Sequence, residues 1–429
     1  MGLLGLGTVG SSVARALLLD SREIERRTGS RLILTHAAVR DPGRARDVPL
    51  DGVHLHTDPL EVARHPEVDV VVELMGGEEP ATTSIFAALE RGCPVVTANK
   101  VVVARHGPRL LELASRRGVP FLFEAAVGGA IPIIRPIRES LSSDRIRVVM
   151  GVVNGTTNYV LTRMSESGVE MAEAVREAQA RGYAEADPEA DLSGWDAGHK
   201  LAVLASLAFE AWVFPEEIPV SGIGAVQARD IQYARELGLV IKLLAYARST
   251  SGGVEAWVGP ALLPAHHPLA QVRGVNNAIL LVTEQAGELM FYGPGAGGGP
   301  TAAAVMGDVM DIARRWGATW PDGEDGAVPA FRWSGGRARV LEASRSTSRF
   351  YVRMRVVDRP GVLAAIASVF GRHRVSIESV IQKGRGEDPV DLVFVTHESD
   401  EASLQKVLAE VRELPVVAHG GFPMRVIGG

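Results

Sequence analysis

The sequence predicts an α/β protein with three parts: a doubly wound parallel sheet, an α+β domain, and a small βαββαβ module. Residues 1–125 alternate apolar runs of strand length with helical patterns, which is typical of βαβ units. From about residue 130 helices are combined with longer strands, and near residue 350 a cleanly alternating strand opens the last module. A chain of 429 residues is too long for one hydrophobic core, which agrees with this division.

The first part begins with a glycine loop. In GLGTVG, residues Gly5, Gly7 and Gly10 have the G-x-G-x-x-G spacing, and Thr8 and Val9 lead directly into a helical pattern. Such glycines permit a tight turn, and the helix start then offers N–H groups to a pyrophosphate. At the head of a βαβ series this favours a nucleotide over an ordinary turn. We therefore expect an NAD(P)-binding Rossmann domain over residues 1–128. The strand MGLL is short, so the alternatives are a shortened first strand and a start upstream of it.

The second predicted strand ends in AAVRD and carries the signal for cofactor choice. Arg40 is followed closely by Arg44 and Arg46, and arginine at this point suits a 2′-phosphate, so NADP(H) is preferred. Asp41 can instead bind a ribose hydroxyl, which keeps NAD(H) possible. The alternative is a solvated basic turn without a ligand.

The rest of the chain divides into three further segments. Residues 129–299 contain helices such as TTNYVLTRM and strands such as VIKLLAYAR, which predict an α+β domain. We expect this domain to bind the substrate and to carry the catalytic residues. The helical pattern at 300–317 is expected to return to the first domain. Residues 318–347 are rich in Gly, Pro, Ser and charge, which suits a linker. Residues 348–429 form the βαββαβ module, which opens with the alternating strand FYVRMRVV.

Carboxylates are concentrated just before one lysine, Lys200. They are Glu185, Asp187, Glu189, Asp191 and Asp196. Ser193 is expected to cap the helix that carries Asp196 and Lys200, which lie one turn apart on a face that continues as an apolar stripe. An exposed ion pair of this spacing contributes only about 0.3–0.5 kcal/mol. The apolar continuation favours a second interpretation, in which an inward lysine gives a proton to an oxygen that gains charge, while the other carboxylates bind an ammonium group.

Several motifs resemble one enzyme family. The run AQARGYAEADPEADLSGWDAGHK resembles the signature of homoserine dehydrogenases, and the whole chain resembles the monofunctional members with a C-terminal ACT domain. GLGTVG, VTANK, EAAVGGAIPI, GVVNGTTNYVLTRM and YGPGAGGGPTA resemble the same family in the same order. The resemblance implies reversible NAD(P)-dependent reduction of L-aspartate 4-semialdehyde to L-homoserine, a step in threonine, methionine and isoleucine biosynthesis.

The resemblance also implies roles for individual residues. Lys200, Lys100 and Asp196 are the implied catalytic residues, with Lys200 as proton donor; Glu185 and Asp191 bind substrate together with Asp196. The implied cofactor contacts are Gly5, Gly7, Thr8, Val9, Gly10, Arg40, Lys100, Gly182, Gly295 and Gly297. Without the resemblance, Lys100 is simply a lysine at a helix start, and the glycines near 295 form a flexible hinge.

Two further sites follow from the resemblance. Glu124, Val127, Gly129 and Ile131 correspond to a structural, sodium-type monovalent cation site, where oxygen ligands suit a hard cation; otherwise they form a glycine turn. The last module resembles an ACT domain, with Asp358, Pro360 and Gly361 in its first turn. An ACT domain in this family implies threonine as effector and a homo-oligomer, dimer or tetramer, although a purely structural dimerisation module is the alternative.

Composition limits the remaining possibilities. Net charge is −6 with no basic block, so no nucleic-acid partner is expected, and no apolar run is long enough to predict a membrane partner. A single cysteine, Cys93, suits a cytoplasmic protein. An aspartate-semialdehyde dehydrogenase needs a nucleophilic cysteine, and Cys93 opens an apolar strand without a nearby histidine. The other alternative is a non-catalytic amino-acid sensor with a relic Rossmann domain.

Overall fold

A computed structural model describes residues 1–185, 187–319, 335–383 and 389–428. Its first segment forms the parallel sheet that the sequence predicts. The elements are β1 (Gly2–Leu4), α1 (Thr8–Leu19), α2 (Ser21–Thr28), β2 (His36–Ala38), β3 (His54–His56), α3 (Pro59–Arg64), β4 (Val71–Glu73), α4 (Ala81–Glu90), β5 (Val95–Thr97), α5 (Lys100–Arg117) and β6 (Phe121–Leu122). The strand order is β3-β2-β1-β4-β5-β6, and every neighbouring pair is parallel.

This order is that of a doubly wound Rossmann sheet, in which the chain reverses direction across the sheet between β1 and β4. The predicted fold class is therefore confirmed. The short strand β1 is nevertheless central, because Gly2–Leu4 pairs with β2 on one side and β4 on the other. Ligands of such sheets bind beyond the carboxyl ends of the strands at this reversal, where the glycine loop follows β1.

The middle of the chain mixes helices with longer strands. Its elements are β7 (Ile146–Val152), α6 (Gly155–Ser167), α7 (Met171–Ala180), α8 (Glu189–Leu192), α9 (Trp195–Phe209), α10 (Ala228–Glu236), β8 (Leu239–Thr250), β9 (Gly253–Pro264), β10 (Asn276–Thr283), β11 (Glu288–Pro294) and α11 (Gly298–Thr319). Helical turns at Glu124–Ala126, Pro136–Ser140, Pro215–Glu217, Pro268–Gln271 and Ala343–Arg345 connect them to their neighbours.

The C-terminal module has the predicted βαββαβ order. It consists of β12 (Thr347–Val356), α12 (Val362–Arg372), β13 (Ile377–Lys383), β14 (Val390–Thr396), a two-residue strand β15 (Ser399–Asp400), α13 (Glu401–Arg412) and β16 (Val417–Val426). Phe350, Val352, Met354 and Val356 are buried, as the alternation in β12 predicts. They share one apolar cluster with residues of both helices, such as Ile366 and Leu408.

The chain separates into two compact units. The first consists of Met1–Arg147, His199–Glu216 and Asn277–Ala338, and the second of Val148–Gly198, Glu217–Asn276 and Arg339–Gly429. In the first unit, α11 packs against α1, because Val305 and Val309 join the apolar cluster that contains Val13 and Leu17.

The second unit is built on one sheet. Its strands follow the order β7-β8-β9-β16-β12-β14-β13. The last strand of the C-terminal module pairs in parallel with β9 through Arg425 and Val426, so the module continues the sheet. The domain boundaries expected from the sequence stay predictions, and residues 320–334 of the expected linker lie outside the described residues.

No helix in the described part of the chain combines the length and the apolar composition that a membrane span requires.

Candidate active site

The glycine loop has the geometry that its motif predicts. Gly5 has φ +99°, in the left-handed region, and a Cβ there would lie 2.9 Å from the carbonyl oxygen of Leu74. At Gly10 a Cβ would lie 2.0 Å from the carbonyl oxygen of Gly5, so only glycine permits this close approach. Gly7 is the N-cap of α1, which begins at Thr8. The N-terminal amides of α1, including that of Val9, are thereby presented at the end of β1.

A cleft of about 350 Å³ opens beside this loop. Gly5 and Gly7 line it together with Arg40, Arg44 and Arg46. Arg46 donates to the carbonyl oxygens of Arg44 and Asp41, both at 2.7 Å, and so braces the turn. The Asp41 carboxylate accepts the Gly43 N–H at 2.9 Å within the same turn. Arg40 and Arg44 are exposed, so their guanidinium groups remain the charged groups that a ligand in the cleft meets.

A buried carboxylate, Glu73, shapes the ends of β4 and β5. It accepts hydrogen bonds from the Thr97 hydroxyl at 2.6 Å and from the Met75 N–H at 2.7 Å. Burial raises the pKa of Glu73. Sequence reasoning did not single out this residue, although a charged residue closing the apolar run VDVVVEL was a signal that could have been used.

Lys100 occupies the first position of α5. Asn99 caps this helix by accepting the Val102 N–H, and its Nδ2 donates to the carbonyl oxygen of Gly77 at 2.6 Å. Because Asn99 is buried and bonded on both sides, the half-buried Lys100 starts from a fixed backbone position.

The predicted substrate carboxylates Asp191 and Asp196 are brought together by Asn154. Its Nδ2 donates to Asp191 Oδ1 at 2.8 Å and to Asp196 Oδ2 at 2.9 Å, while Thr156 Oγ1 donates to Asp191 Oδ2 at 2.7 Å. Asn154 also caps α6 by accepting the Thr157 N–H at 2.8 Å. Sequence reasoning missed Asn154 and Thr156, although both lie in the motif GVVNGTTNYVLTRM.

The remaining residues of this loop have different environments. The side chain of Glu185 is exposed, and its carbonyl oxygen accepts from Gln179 Nε2 at 3.2 Å. Gly182 follows the end of α7 with φ +72°, and its N–H donates to the carbonyl oxygen of Gln179 at 3.0 Å. The structure therefore places Gly182 and Glu185 on the same turn after α7.

Lys200 lies in α9, one turn after Asp196. Only 9% of Lys200 is exposed, and Val203, Leu204 and Leu207 farther along the helix are buried. The expectation that the apolar stripe draws this lysine inward is confirmed.

The expected cap at Ser193 is wrong. Helix α9 begins at Trp195, and Ser193 has helical dihedral angles (φ −72°, ψ −16°) because it ends the short helix α8. Its hydroxyl donates to the carbonyl oxygen of Ala190 at 3.4 Å instead. Gly194, with φ +88°, makes the turn between the two helices. The S-x-x-D pattern resembled a capping box, but the left-handed glycine decides where the helix starts.

The two other glycine motifs lie against each other. Gly129 has φ +58°, and a Cβ there would lie 2.5 Å from the carbonyl carbon of Gly295. A Cβ at Gly295 would in turn lie 1.9 Å from Asn277 Nδ2. Gly297 adopts φ +117° at the start of α11. Close contacts at Gly129 and Gly295, and the left-handed φ of Gly297, therefore explain these glycines better than a free hinge does.

Glu124 anchors the chain that follows this turn. Its carboxylate accepts the N–H groups of Ile133, Ile134 and Arg135 at 2.6, 2.8 and 2.8 Å. Its own N–H donates to Asp308 at 2.9 Å, and burial raises the pKa of Asp308 to about 7. Because three amides already bond the carboxylate, the backbone carbonyl oxygens of Val127, Gly129 and Ile131 are the oxygens better suited to a cation.

Cys93 is buried, and burial raises the pKa of its thiol to about 11. The thiolate that an acyl-transferring dehydrogenase requires is therefore scarce at neutral pH.

Comparisons with known proteins agree with this geometry. Residues 5–124 match the family model for the homoserine dehydrogenase NAD binding domain, and residues 132–310 match the model for homoserine dehydrogenase. Residues 350–416 match the model for the ACT domain. The homoserine dehydrogenase of Synechocystis sp. is 41% identical over 441 residues, which cover 100% of this chain and 99% of the relative. The chain belongs to the homoserine dehydrogenase family.

Solved homoserine dehydrogenase structures share the fold. That of Thiobacillus denitrificans is 38% identical, with a TM-score of 0.92, and the match covers 99% of this chain and 97% of that one. A hyperthermophilic archaeal homoserine dehydrogenase in complex with NADPH is 28% identical, with a TM-score of 0.61, over 72% of this chain and 96% of that one. The family, fold class and oxidoreductase class inferred from the motifs are confirmed, and a non-catalytic sensor is not supported.

Proposed function

We propose that this homoserine dehydrogenase reduces L-aspartate 4-semialdehyde with Lys200 as the proton donor. The observation that carries the proposal is the position of Lys200: it is buried at the apolar end of a helix face, one turn after Asp196. When bound, the dihydronicotinamide supplies a hydride to the aldehyde carbon. The Lys200 ammonium then gives its proton to the oxygen that gains charge, and in the oxidation of homoserine the same amine accepts it.

Substrate binding is assigned to the carboxylates near Lys200. Asp191 and Asp196, held side by side by the Asn154 amide, present negative charge to the ammonium group of the amino acid. Glu185 adds a third carboxylate from the turn after α7. Lys100, fixed at the start of α5, binds between substrate and nicotinamide. Two carboxylates in fixed positions orient the aldehyde, and orientation accounts for a large share of the barrier lowering in such reactions.

Replacing Lys200 tests the mechanism. Lys200→Met should lower kcat about 10²- to 10⁴-fold, as expected for loss of a general acid, while NADPH affinity measured by fluorescence stays unchanged. Lys406→Met, which removes an exposed lysine on α13, is the matched control and should keep full turnover. A Lys200→Met enzyme within about tenfold of the original kcat would contradict the proposal.

For the cofactor we propose a preference for NADP(H), with NAD(H) accepted. Gly5, Gly7, Thr8, Val9 and Gly10 receive the pyrophosphate, and Gly182, Gly295 and Gly297 lie against the nicotinamide half. The support is the cleft itself, where Arg40 and Arg44 are exposed while the Asp41 carboxylate is already bonded to Gly43.

Charge reversal tests this preference. Arg40→Asp should lower kcat/KM for NADPH relative to NADH by about tenfold or more, since a charge-assisted bond contributes about 1.5–3 kcal/mol. Arg22→Asp, an exposed arginine on α2, is the control and should leave the ratio unchanged. An unchanged ratio in Arg40→Asp would show that this arginine does not bind the 2′-phosphate.

We also propose a sodium-type monovalent cation at residues 124–131. The backbone oxygen of Glu124 and the carbonyl oxygens of Val127, Gly129 and Ile131 offer the oxygen-only donors that a hard cation prefers. In this arrangement the Glu124 carboxylate holds the following turn through its three amide contacts. Turnover should then rise with added Na⁺ at constant ionic strength, and Val127 substitutions that keep the backbone should not abolish the effect.

The C-terminal module is proposed to bind threonine and to join copies of the chain in a dimer or tetramer. In support, β13 is the last strand of its sheet, and its Val380 side chain is 38% exposed. We propose a cytoplasmic location and the domain limits 1–128 with 300–317, 129–299, 318–347 and 348–429. Activity and light scattering measured with and without threonine test the effector and the oligomer together.

A further inference from the structure

Four histidines gather on one face of the first sheet, at β2, β3 and the segment after α3. His36 lies in β2 and pairs in register with His54 in the neighbouring strand β3, with ring centroids 5.2 Å apart. His56 lies two residues farther along β3 on the same face. The His65 ring lies against that of His36, with centroids 3.9 Å apart. The reaction proposed above assigns no role to this cluster.

His36 has one nitrogen that the described structure leaves unsatisfied. The side chain is 4% exposed, and its Nε2 is without a hydrogen-bond partner among the described residues. This nitrogen lies 3.6 Å from Glu67 Oε2, which is too far for a good hydrogen bond. A buried imidazole nitrogen without a partner is costly, so this position needs an explanation.

The hydrogen bonds around His36 fix which nitrogen carries the lone pair. His56 Nδ1 lies 2.9 Å from Glu61 Oε2, and a carboxylate can only accept, so this nitrogen donates. His56 Nε2 is then the acceptor for His36 Nδ1, at 3.1 Å. His36 therefore keeps its proton on Nδ1 and directs the lone pair of Nε2 toward Glu67. The hydrogen bonds from His36 through His56 to Glu61 are of the carboxylate–histidine type that orients metal-binding imidazoles.

The separations fit one metal ion. One donor atom each from His36, His65 and Glu67 lies within 4.8 Å of the other two. Tetrahedral ligands about 2.0–2.1 Å from Zn²⁺ are about 3.3 Å apart, close to the 3.6 Å between His36 and Glu67. Glu67 is exposed and His65 half-buried, so both can complete the approach by side-chain rotation.

We propose that His36, His65 and Glu67 bind one divalent transition-metal ion, with Zn²⁺ as the best match to two imidazoles and a carboxylate. Imidazole donors favour Zn²⁺, Co²⁺, Ni²⁺ and Cu²⁺ over Mg²⁺ or Ca²⁺. The ion would join β2 to the segment after α3. Since β2 continues into Val39 and Arg40, which line the cofactor cleft, the site stabilises one wall of that cleft.

Cobalt titration of the full-length, tag-free protein, first freed of metal with a chelator, tests the site. The visible absorption band of Co²⁺ should grow to one ion per chain and disappear when Zn²⁺ is added. His65→Asn and Glu67→Gln should each weaken Co²⁺ binding by about tenfold or more. The matched controls are His54→Asn, which removes a ring stacked on His36, and Asp69→Asn, which removes a nearby exposed carboxylate; both should bind as the original protein does.

Glu61→Gln tests the orienting chain separately. It should weaken binding roughly 10- to 100-fold while leaving the stoichiometry at one ion. Far-UV circular dichroism confirms that each variant folds. Absence of a band beyond that of aqueous Co²⁺, or equal titrations for the original protein, His65→Asn and Glu67→Gln, would overturn the proposal.

Discussion

Asn154→Asp gives the sharpest test of the substrate site. Asn154 is 5% exposed and does two things: its Oδ1 caps α6, and its Nδ2 holds Asp191 and Asp196 together. Aspartate is as good an N-cap as asparagine, so the variant keeps the first contact. It loses both N–H donors and adds a third negative charge beside two carboxylates.

The expected fall in kcat/KM follows from the two lost hydrogen bonds and the added negative charge. A hydrogen bond to a charged acceptor contributes about 1.5–3 kcal/mol. Losing the bonds to Asp191 and Asp196 therefore removes about 3–6 kcal/mol of the interaction energy that holds the two carboxylates in place. Two carboxylates about 4 Å apart repel by about 4 kcal/mol at an effective dielectric constant of 20, and one of them is expected to protonate instead. Even the lower value of about 3 kcal/mol corresponds to roughly a 140-fold fall in kcat/KM.

The assay is NADPH oxidation at varied aspartate semialdehyde concentration. Asn154→Ser is the control, because serine also caps a helix but adds no charge; its kcat/KM should lie between those of Asn154→Asp and the original enzyme. NADPH affinity should be the same in all three, since Asn154 is not among the residues assigned to the cofactor. A kcat/KM for Asn154→Asp within about tenfold of the original would refute the idea that paired carboxylates bind the substrate.

Three other predictions concern stability and reactivity. Burial lowers the pKa of Lys242 to about 8, below the reference of 10.5. Between these pH values the native chain binds fewer protons than the unfolded chain, so the unfolding free energy should rise with pH by up to about 3 kcal/mol. Urea denaturation measures this rise, which should be absent in Lys242→Met. Cys93, with its pKa raised to about 11, should resist iodoacetamide at pH 8 in the native enzyme, and Cys93→Ala should keep its turnover; a large loss would restore the nucleophile hypothesis. Asp230 accepts from Arg353 Nε at 2.6 Å and from the Tyr351 hydroxyl at 3.0 Å, so Asp230→Ala should lower the unfolding free energy by about 3–5 kcal/mol, and an unchanged urea midpoint would contradict this.

Period and spacing were sufficient to predict the fold. Alternating strands and helices indicated the doubly wound sheet, and the alternation in β12 correctly placed Phe350, Val352 and Met354 in a core. The burial of Lys200 also followed from sequence, because a helical stripe fixes which side chains share a face. These patterns involve residues that are close in sequence, so they can be recognised without knowledge of the tertiary structure.

Contacts between distant segments could not be predicted in this way. Helices α6 and α7 separate Asn154 from Asp191, and α8 also precedes Asp196, so no spacing rule connects these residues. The same holds for Gly129 against Gly295, where the motif indicated a turn but not its partner. The predicted cap at Ser193 was wrong for a different reason. The residue types of a capping box are present, but Ser193 ends helix α8 and has helical dihedral angles, so it cannot take the extended conformation of an N-cap.

The pairing of β16 with β9 has a consequence for the tail of the protein. Arg425 and Val426 pair with Ala261 and Leu262, and the Ile427 N–H donates to the carbonyl oxygen of Leu262 at 2.9 Å. Digestion by a carboxypeptidase past these residues would uncover a row of backbone donors and acceptors on β9. Uncovered strand edges recruit strands from other molecules, so trimming at this end should yield aggregates rather than a shorter working enzyme.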